Sequence, residues 1–161
     1  MGSKDPGEGL AQMEAVLREE KWGCLGLSMD GRPYVVPVNY AYVDGDILFH
    51  CALEGQKLDY IRANPNVCFT VARQGGEVRD HAGGNPCHVD SDSVICYGTA
   101  RIVDDPTERA ELLNAFNRAF VPDAPDLSME GVLGCGAVRI SIDRMTGRRE
   151  RERRRSLWRY P

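Results

Sequence analysis

Apolar residues recur with a period of two along most of the chain and with a helical period in a few short stretches. Leu10, Met13, Val16 and Leu17 fall on one face of a helix over 10–20. From Cys24 the period shortens, and 24–29, 34–43 and 47–52 read as strands separated by Asp30-Gly31 and Asp44-Gly45. Asp-Gly between apolar runs is a hairpin signal, because both residues tolerate positive φ. The runs therefore predict an antiparallel meander. Pro33 and Pro37 cannot donate ladder hydrogen bonds, which assigns Pro37 to an edge, a bulge or a ligand.

A short helix over 55–63 follows, with Leu58 and Ile61 inward, and Asn64-Pro65 stops it. Residues 67–72 predict a fourth strand. Gly75, Gly76, Gly83, Gly84, Asn85 and Pro86 mark 74–92 as a long loop. After a fifth strand over 93–103, Asp105-Pro106-Thr107-Glu108 supplies an N-cap, a Pro at the first helical position and a capping-box Glu. That helix is expected to bury Leu112, Leu113, Phe116, Ala119 and Phe120 until Pro122 and Pro125 break it. Residues 137–142 predict a sixth strand. The fold class expected is mainly β: a small six-stranded antiparallel barrel, closed to hide its edges, with flanking α-helices. The two Asp-Gly hairpins argue against a parallel doubly wound sheet, and no G-x-G-x-x-G or Walker-type sequence occurs.

A length of 161 residues suits one domain with a real core, and 42% hydrophobic and 27% charged residues are ordinary for a globular chain. The expected organisation is a lead-in over 1–9, a barrel domain over 10–143 and an Arg-rich tail over 144–161. The net charge of −4 hides an asymmetry: the tail carries eight Arg against Glu150 and Glu152, a balance of +6, which leaves −10 on the body. An acidic body repels nucleic acid, so such a tail is expected to pair with an acidic surface. No apolar run approaches the length of a membrane span, and the N-terminus lacks the basic-then-apolar order of a signal peptide, so a cytoplasmic location is expected. Cysteines at 24, 51, 68, 87, 96 and 135 form no C-x-x-C pair, and most read as small reduced core residues. His81, Cys87 and His88 match no zinc spacing, and no metal is expected.

Candidate chemistry concentrates in Phe49-His50-Cys51-Ala52-Leu53-Glu54-Gly55-Gln56-Lys57. A strand end, a Gly-containing bend and a Lys in the first turn of a helix make an anion site, since free helix N–H groups and an ammonium point the same way. His50 places an imidazole on the same strand. Adjacent strand residues face opposite ways, so the side chains of His50 and Cys51 should not meet.

The order and spacing of Gly31-Arg32-Pro33-Tyr34-Val35-Val36-Pro37-Val38-Asn39-Tyr40, Phe49-His50-Cys51-Ala52, Gly55-Gln56-Lys57 and Asn64-Pro65-Asn66-Val67-Cys68-Phe69 resemble the pyridoxamine 5′-phosphate oxidase-like, FMN-binding split-barrel superfamily. Cys87, Ser93-Val94-Ile95 and Tyr97-Gly98-Thr99-Ala100 extend the resemblance to its nitroimidazole-resistance branch. It covers roughly 10–143.

The resemblance implies a six-stranded split barrel, a homodimer, and FMN at the subunit interface. Val36, Pro37, Val38 and Asn39 would line the flavin ring, and His50, Cys51 and Ala52 would contact the flavin or its ribityl chain. Gly55, Gln56 and Lys57 would hold the phosphate, and Ser93, Val94 and Ile95 would approach the ring from a later strand. His50 inherits a catalytic role, and a small acceptor such as a nitro-aromatic compound would be reduced. Gln56 stands where many relatives carry Arg, and Cys51 where many carry Ser. A non-catalytic flavin, deazaflavin or haem binder on the same barrel is the alternative.

Overall fold

The structure is a computed structural model that describes residues 6–79, 88–151 and 154–161. In chain order its elements are α1 (Pro6–Glu19), β1 (Trp22–Met29), β2 (Arg32–Asn39), β3 (Ala41–Val43), β4 (Asp46–Cys51), α2 (Gln56–Ala63), β5 (Asn66–Arg79), β6 (His88–Ile102), α3 (Pro106–Phe120), α4 (Met129–Leu133), β7 (Gly136–Arg151) and β8 (Arg154–Tyr160). The strands form one antiparallel sheet in the order β2-β1-β5-β6-β7-β4-β3, with β8 on β7.

Two expectations need correction. The sheet has eight strands rather than six, and its hydrogen-bonded path is not closed. The run 34–43 breaks at Tyr40, whose backbone N–H leaves the ladder and donates to the Lys21 carbonyl at 3.1 Å. The strand before the break pairs with β1, and the strand after it pairs with β4. The two ends of the sheet path are therefore joined through one residue, which forces the sheet to curl into a split barrel. The additional strand is β8, built from the Arg-rich segment: β7 runs on to Arg151, and Arg154–Tyr160 returns along it. Of the expected loop over 74–92, residues 74–79 and 88–92 belong instead to β5 and β6.

The hairpin turns form as their sequences require. Asp30-Gly31 and Asp44-Gly45 adopt positive φ at both residues (50° and 73°, 51° and 89°), the backbone of a primed turn. Pro37 lies on β2, at one end of the sheet path, the edge position in which a residue without an N–H is tolerated. Asp105 caps α3, its Oδ1 accepting from the Glu108 N–H at 2.8 Å. Glu108 itself turns to Arg101 instead of closing the capping box.

Inside the curl, Leu25, Val38, Tyr40, Phe49, Phe69, Val71, Val94 and Ile140 pack with Met13, Val16 and Leu17 of α1 and with Leu58 and Ile61 of α2. A smaller core lies on the other side of β4 and β7, where Leu48 and Ala137 meet Leu112 and Leu113 of α3 and Val132 of α4. Phe120, expected inside, is 39% exposed because it sits at the last position of α3, past the sheet it would cover.

Candidate functional site

Alternation along the strands sorts the sequence-derived site residues into two sets. On β2, Val36 and Val38 pack into the inner core, whereas Pro37 and Asn39 are exposed on the outer face. On β6, Val94 is buried, while Ser93 and Ile95 line an outer groove of about 340 Å³ with Thr146, Arg148, Leu157 and Arg159. Register continues this outer face: Pro37 pairs with Cys24, Cys24 with Thr70, Thr70 with Ile95, and Ile95 with Thr146. A second hollow of about 460 Å³ opens on the same face around Gly26, Val35, Cys68 and Tyr97. Val35 at 63%, Trp22 at 56% and Leu157 at 54% exposure leave this face apolar and uncovered in the single chain.

The end of β4 shows the same alternation. Cys51 packs against the inner core, and His50 is exposed on the opposite side, so the two side chains point apart as expected. Burial raises the Cys51 thiol above its usual value, the neighbouring Lys57 ammonium lowers it, and Cys135 raises it again, for a net rise. Cys51 is therefore a neutral packing group. Cys135 sends its thiol to the Cys51 carbonyl at 3.6 Å, and Gly136 pairs with Cys51.

After Ala52 the chain bends to Gly55, which has φ +139° and caps α2 with no side-chain hydrogen bond. No atom lies within 4 Å of where a Cβ at Gly55 would stand. An uncapped helix N-terminus followed by Gln56 and half-buried Lys57 in its first turn supplies backbone donors and a cation, the residue types that suit a phosphate.

One residue that the sequence reading did not assign to the site stands against His50, and two more follow it in a chain of contacts. Phe116 of α3 meets the imidazole edge-on, centroids 4.8 Å apart and planes at 83°. Phe120 lies 4.8 Å from Phe116, and the Lys21 ammonium stands 5.4 Å over the Phe120 ring. The i, i+4 spacing of Phe116 and Phe120 was visible in sequence but reads equally as core.

Away from this region, Asp92 is 1% exposed and accepts from Arg73 Nε at 3.0 Å, Arg149 Nε at 2.8 Å and Arg151 Nη2 at 2.8 Å. Burial pushes its carboxyl up, and hydrogen bonds from Arg149, Arg73 and Arg151 overcome that, holding it down to about 2. His81 and Cys87 lie outside the described residues, as does the side chain of His88. Among the described residues no group of three or more His, Cys, Asp or Glu is placed to hold a metal ion. No helix described is long and apolar enough to cross a membrane.

The sequence profile of the pyridoxamine 5′-phosphate oxidase family matches residues 10–149, and the chain belongs to that family. Among solved structures, a candidate 5-nitroimidazole antibiotic resistance protein from Bacteroides thetaiotaomicron superposes with a TM-score of 0.76 at 24% identity, over 91% of this chain and 85% of that one. An FAD-binding protein from Mesorhizobium loti superposes with a TM-score of 0.66 at 24% identity, over 88% of this chain and 94% of that one. At these identities the likeness is one of fold. The uncharacterized protein RA0666 of Rhizobium meliloti is 40% identical over 48 residues, which span 30% of this chain and 31% of that protein's length.

Proposed function

We propose that the chain is a flavin-binding protein, with FMN as the cofactor, that reduces a small planar acceptor such as a nitro-aromatic compound. The observation that carries this reading is the open N-terminus of α2, with Gly55 at φ +139° and Lys57 in the first turn, after the strand that bears His50. The match of the family profile to 10–149 and the FAD-binding and nitroimidazole-resistance structures of the same fold support it.

In this reading the α2 N–H groups and the Lys57 ammonium hold the phosphate. Pro37 and Asn39 form the floor beneath the ring, and Ser93 and Ile95 serve from a second copy of the chain. Homodimerisation is supported by the uncovered apolar outer face, on which Val35, Trp22, Tyr97 and Leu157 are exposed. When bound and reduced by an external electron donor, the flavin would supply a pair of electrons and accompanying protons to the acceptor. His50 donates an imidazole N–H to the acceptor oxygen on which negative charge develops. For a nitro group the first two-electron, two-proton stage gives the nitroso compound and one water.

FMN and riboflavin titrations test the assignment. FMN is expected to bind the wild-type chain, and riboflavin, which lacks the phosphate, more weakly. Equal affinity for both would contradict the phosphate site.

A further inference from the structure

The outer face of β7 has two unlike halves. Over the first half, Ala137 packs with Leu112 and Leu113 of α3 and Val132 of α4, so helices cover the strand. Tyr97 then pairs with Arg144 and Gly98 with Ile142, which leaves Asp143 as the extra residue of a bulge. Past the bulge the outer positions are Arg144, its guanidinium 4.2 Å from the Tyr97 ring centroid, then Thr146 and Arg148. β8 lies beside this half and adds Leu157 and Arg159 to the same groove. Leu157 stays 54% exposed, and the second half is bare.

The helical cover and the bare half are complementary in two respects. Both are apolar: Val121, Met129 and Leu133 of the α3–α4 segment are each more than half exposed, and Ile95 and Leu157 line the groove. Their charges are opposite. Residues 120–134 hold Asp123, Asp126 and Glu130 and no Lys or Arg. Asp126 pairs with Arg118, whereas Asp123 and Glu130 make no ion pair among the described residues. On the bare half Arg144, Arg148, Arg155 and Arg159 stand against Glu150, which takes Arg148 and Arg155. Arg159 makes no ion pair among the described residues.

We propose that, in the homodimer, the α3–α4 segment of each copy seats on the bare β7–β8 half of the other. A two-fold axis in the interface and perpendicular to β7 reverses the strand, so the covered half of one copy meets the bare half of the other at both ends. Val121, Met129 and Leu133 then meet Ile95 and Leu157, and Asp123 and Glu130 face Arg159. A register that paired the bare halves would set arginine against arginine, so charge selects against it. Phe116 of α3 touches His50, so the docking also brings the strand of Ser93 and Ile95 toward the His50 side of the other copy. The inference rests on the homodimer reading and adds to it which surfaces meet and which charges align them.

The test uses the full chain as purified, with Arg159→Glu in one variant and Asp123→Lys plus Glu130→Lys in another. Each variant alone should weaken the dimer about ten-fold or more in a dilution series followed by mass. Its circular dichroism should match the wild type, since all three side chains are exposed. An equal mixture of the two variants should restore the affinity, because both contacts of the mixed dimer then join opposite charges. Native mass spectrometry should find mixed dimers well above the roughly one-half share that random pairing gives. Dimers as tight as wild type in both variants, or random pairing in the mixture, would overturn the proposal. A wild-type chain that stays at 17.9 kDa at every concentration contradicts the homodimer reading itself, and the docking falls with it.

Discussion

His50 stands edge-on to Phe116, with ring centroids 4.8 Å apart and planes at 83°, and the contact joins the end of β4 to α3. Edge-to-face packing restricts the imidazole to one orientation. Phe116 is itself buried, so it is a rigid stop. Phe116→Leu preserves an apolar side chain and is expected to cost about 1 kcal/mol of stability. It should lower turnover more than it raises KM and leave FMN affinity unchanged, because the imidazole is freed while the phosphate site is untouched. Steady-state kinetics beside a flavin titration check this.

Lys57→Ala removes the cation in the first turn of α2. FMN binding should weaken about ten-fold or more, as loss of a charge-assisted contact implies, and riboflavin binding should hardly change. Gln56→Arg adds a second cation at the same turn. It should tighten FMN several-fold at low salt, with the gain falling as ionic strength rises. Isothermal titration of both ligands at two salt concentrations separates these outcomes.

Gly136 lies opposite Cys51 in the β4–β7 ladder. A Cβ there would sit 2.6 Å from the Ala52 carbonyl oxygen and 3.1 Å from Cys51 Sγ, so Gly136→Ala must push the end of β4 outward. It is expected to cost about 1–3 kcal/mol and to weaken FMN together with stability. Denaturant unfolding and flavin titration on the same variant would show the two losses.

Asp92 ties β5, β6 and β7 together through Arg73, Arg149 and Arg151. Its carboxyl is held below the ordinary 3.8, at about 2. The stability this contributes is therefore fully present above about pH 4 and is lost as pH falls through about 2. The guanidinium groups are partly exposed, so solvent screens the attraction, and Asp92→Asn is expected to cost roughly 2 kcal/mol at neutral pH. The variant should also lose stability less steeply than the wild type between pH 4 and pH 2. Urea midpoints across that range test it.

The meander and the helices were legible because their signals are local. Asp30-Gly31 and Asp44-Gly45 fix their turns whatever surrounds them, and Asp105 caps α3 with its own side chain. The break at Tyr40 was not legible, since it depends on a carbonyl at Lys21 that only the folded chain brings near. The strand character of 144–160 was hidden by its charge. Its arginines are tolerated in β7 and β8 because Asp92 and Glu150 lie across the sheet from them. The candidate site over His50 to Lys57 was proposed from residue types and spacing. The contact of Phe116 with His50 was not legible, because it joins residues far apart in the chain and each has an ordinary reading as core or surface.

The central claim, that this barrel holds FMN between two copies of the chain, is tested most directly by measuring absorbance and mass on one purified sample saturated with FMN. The account predicts a flavin spectrum at one FMN per chain and a mass of twice 17.9 kDa. A colourless protein that fails to retain added FMN would contradict it.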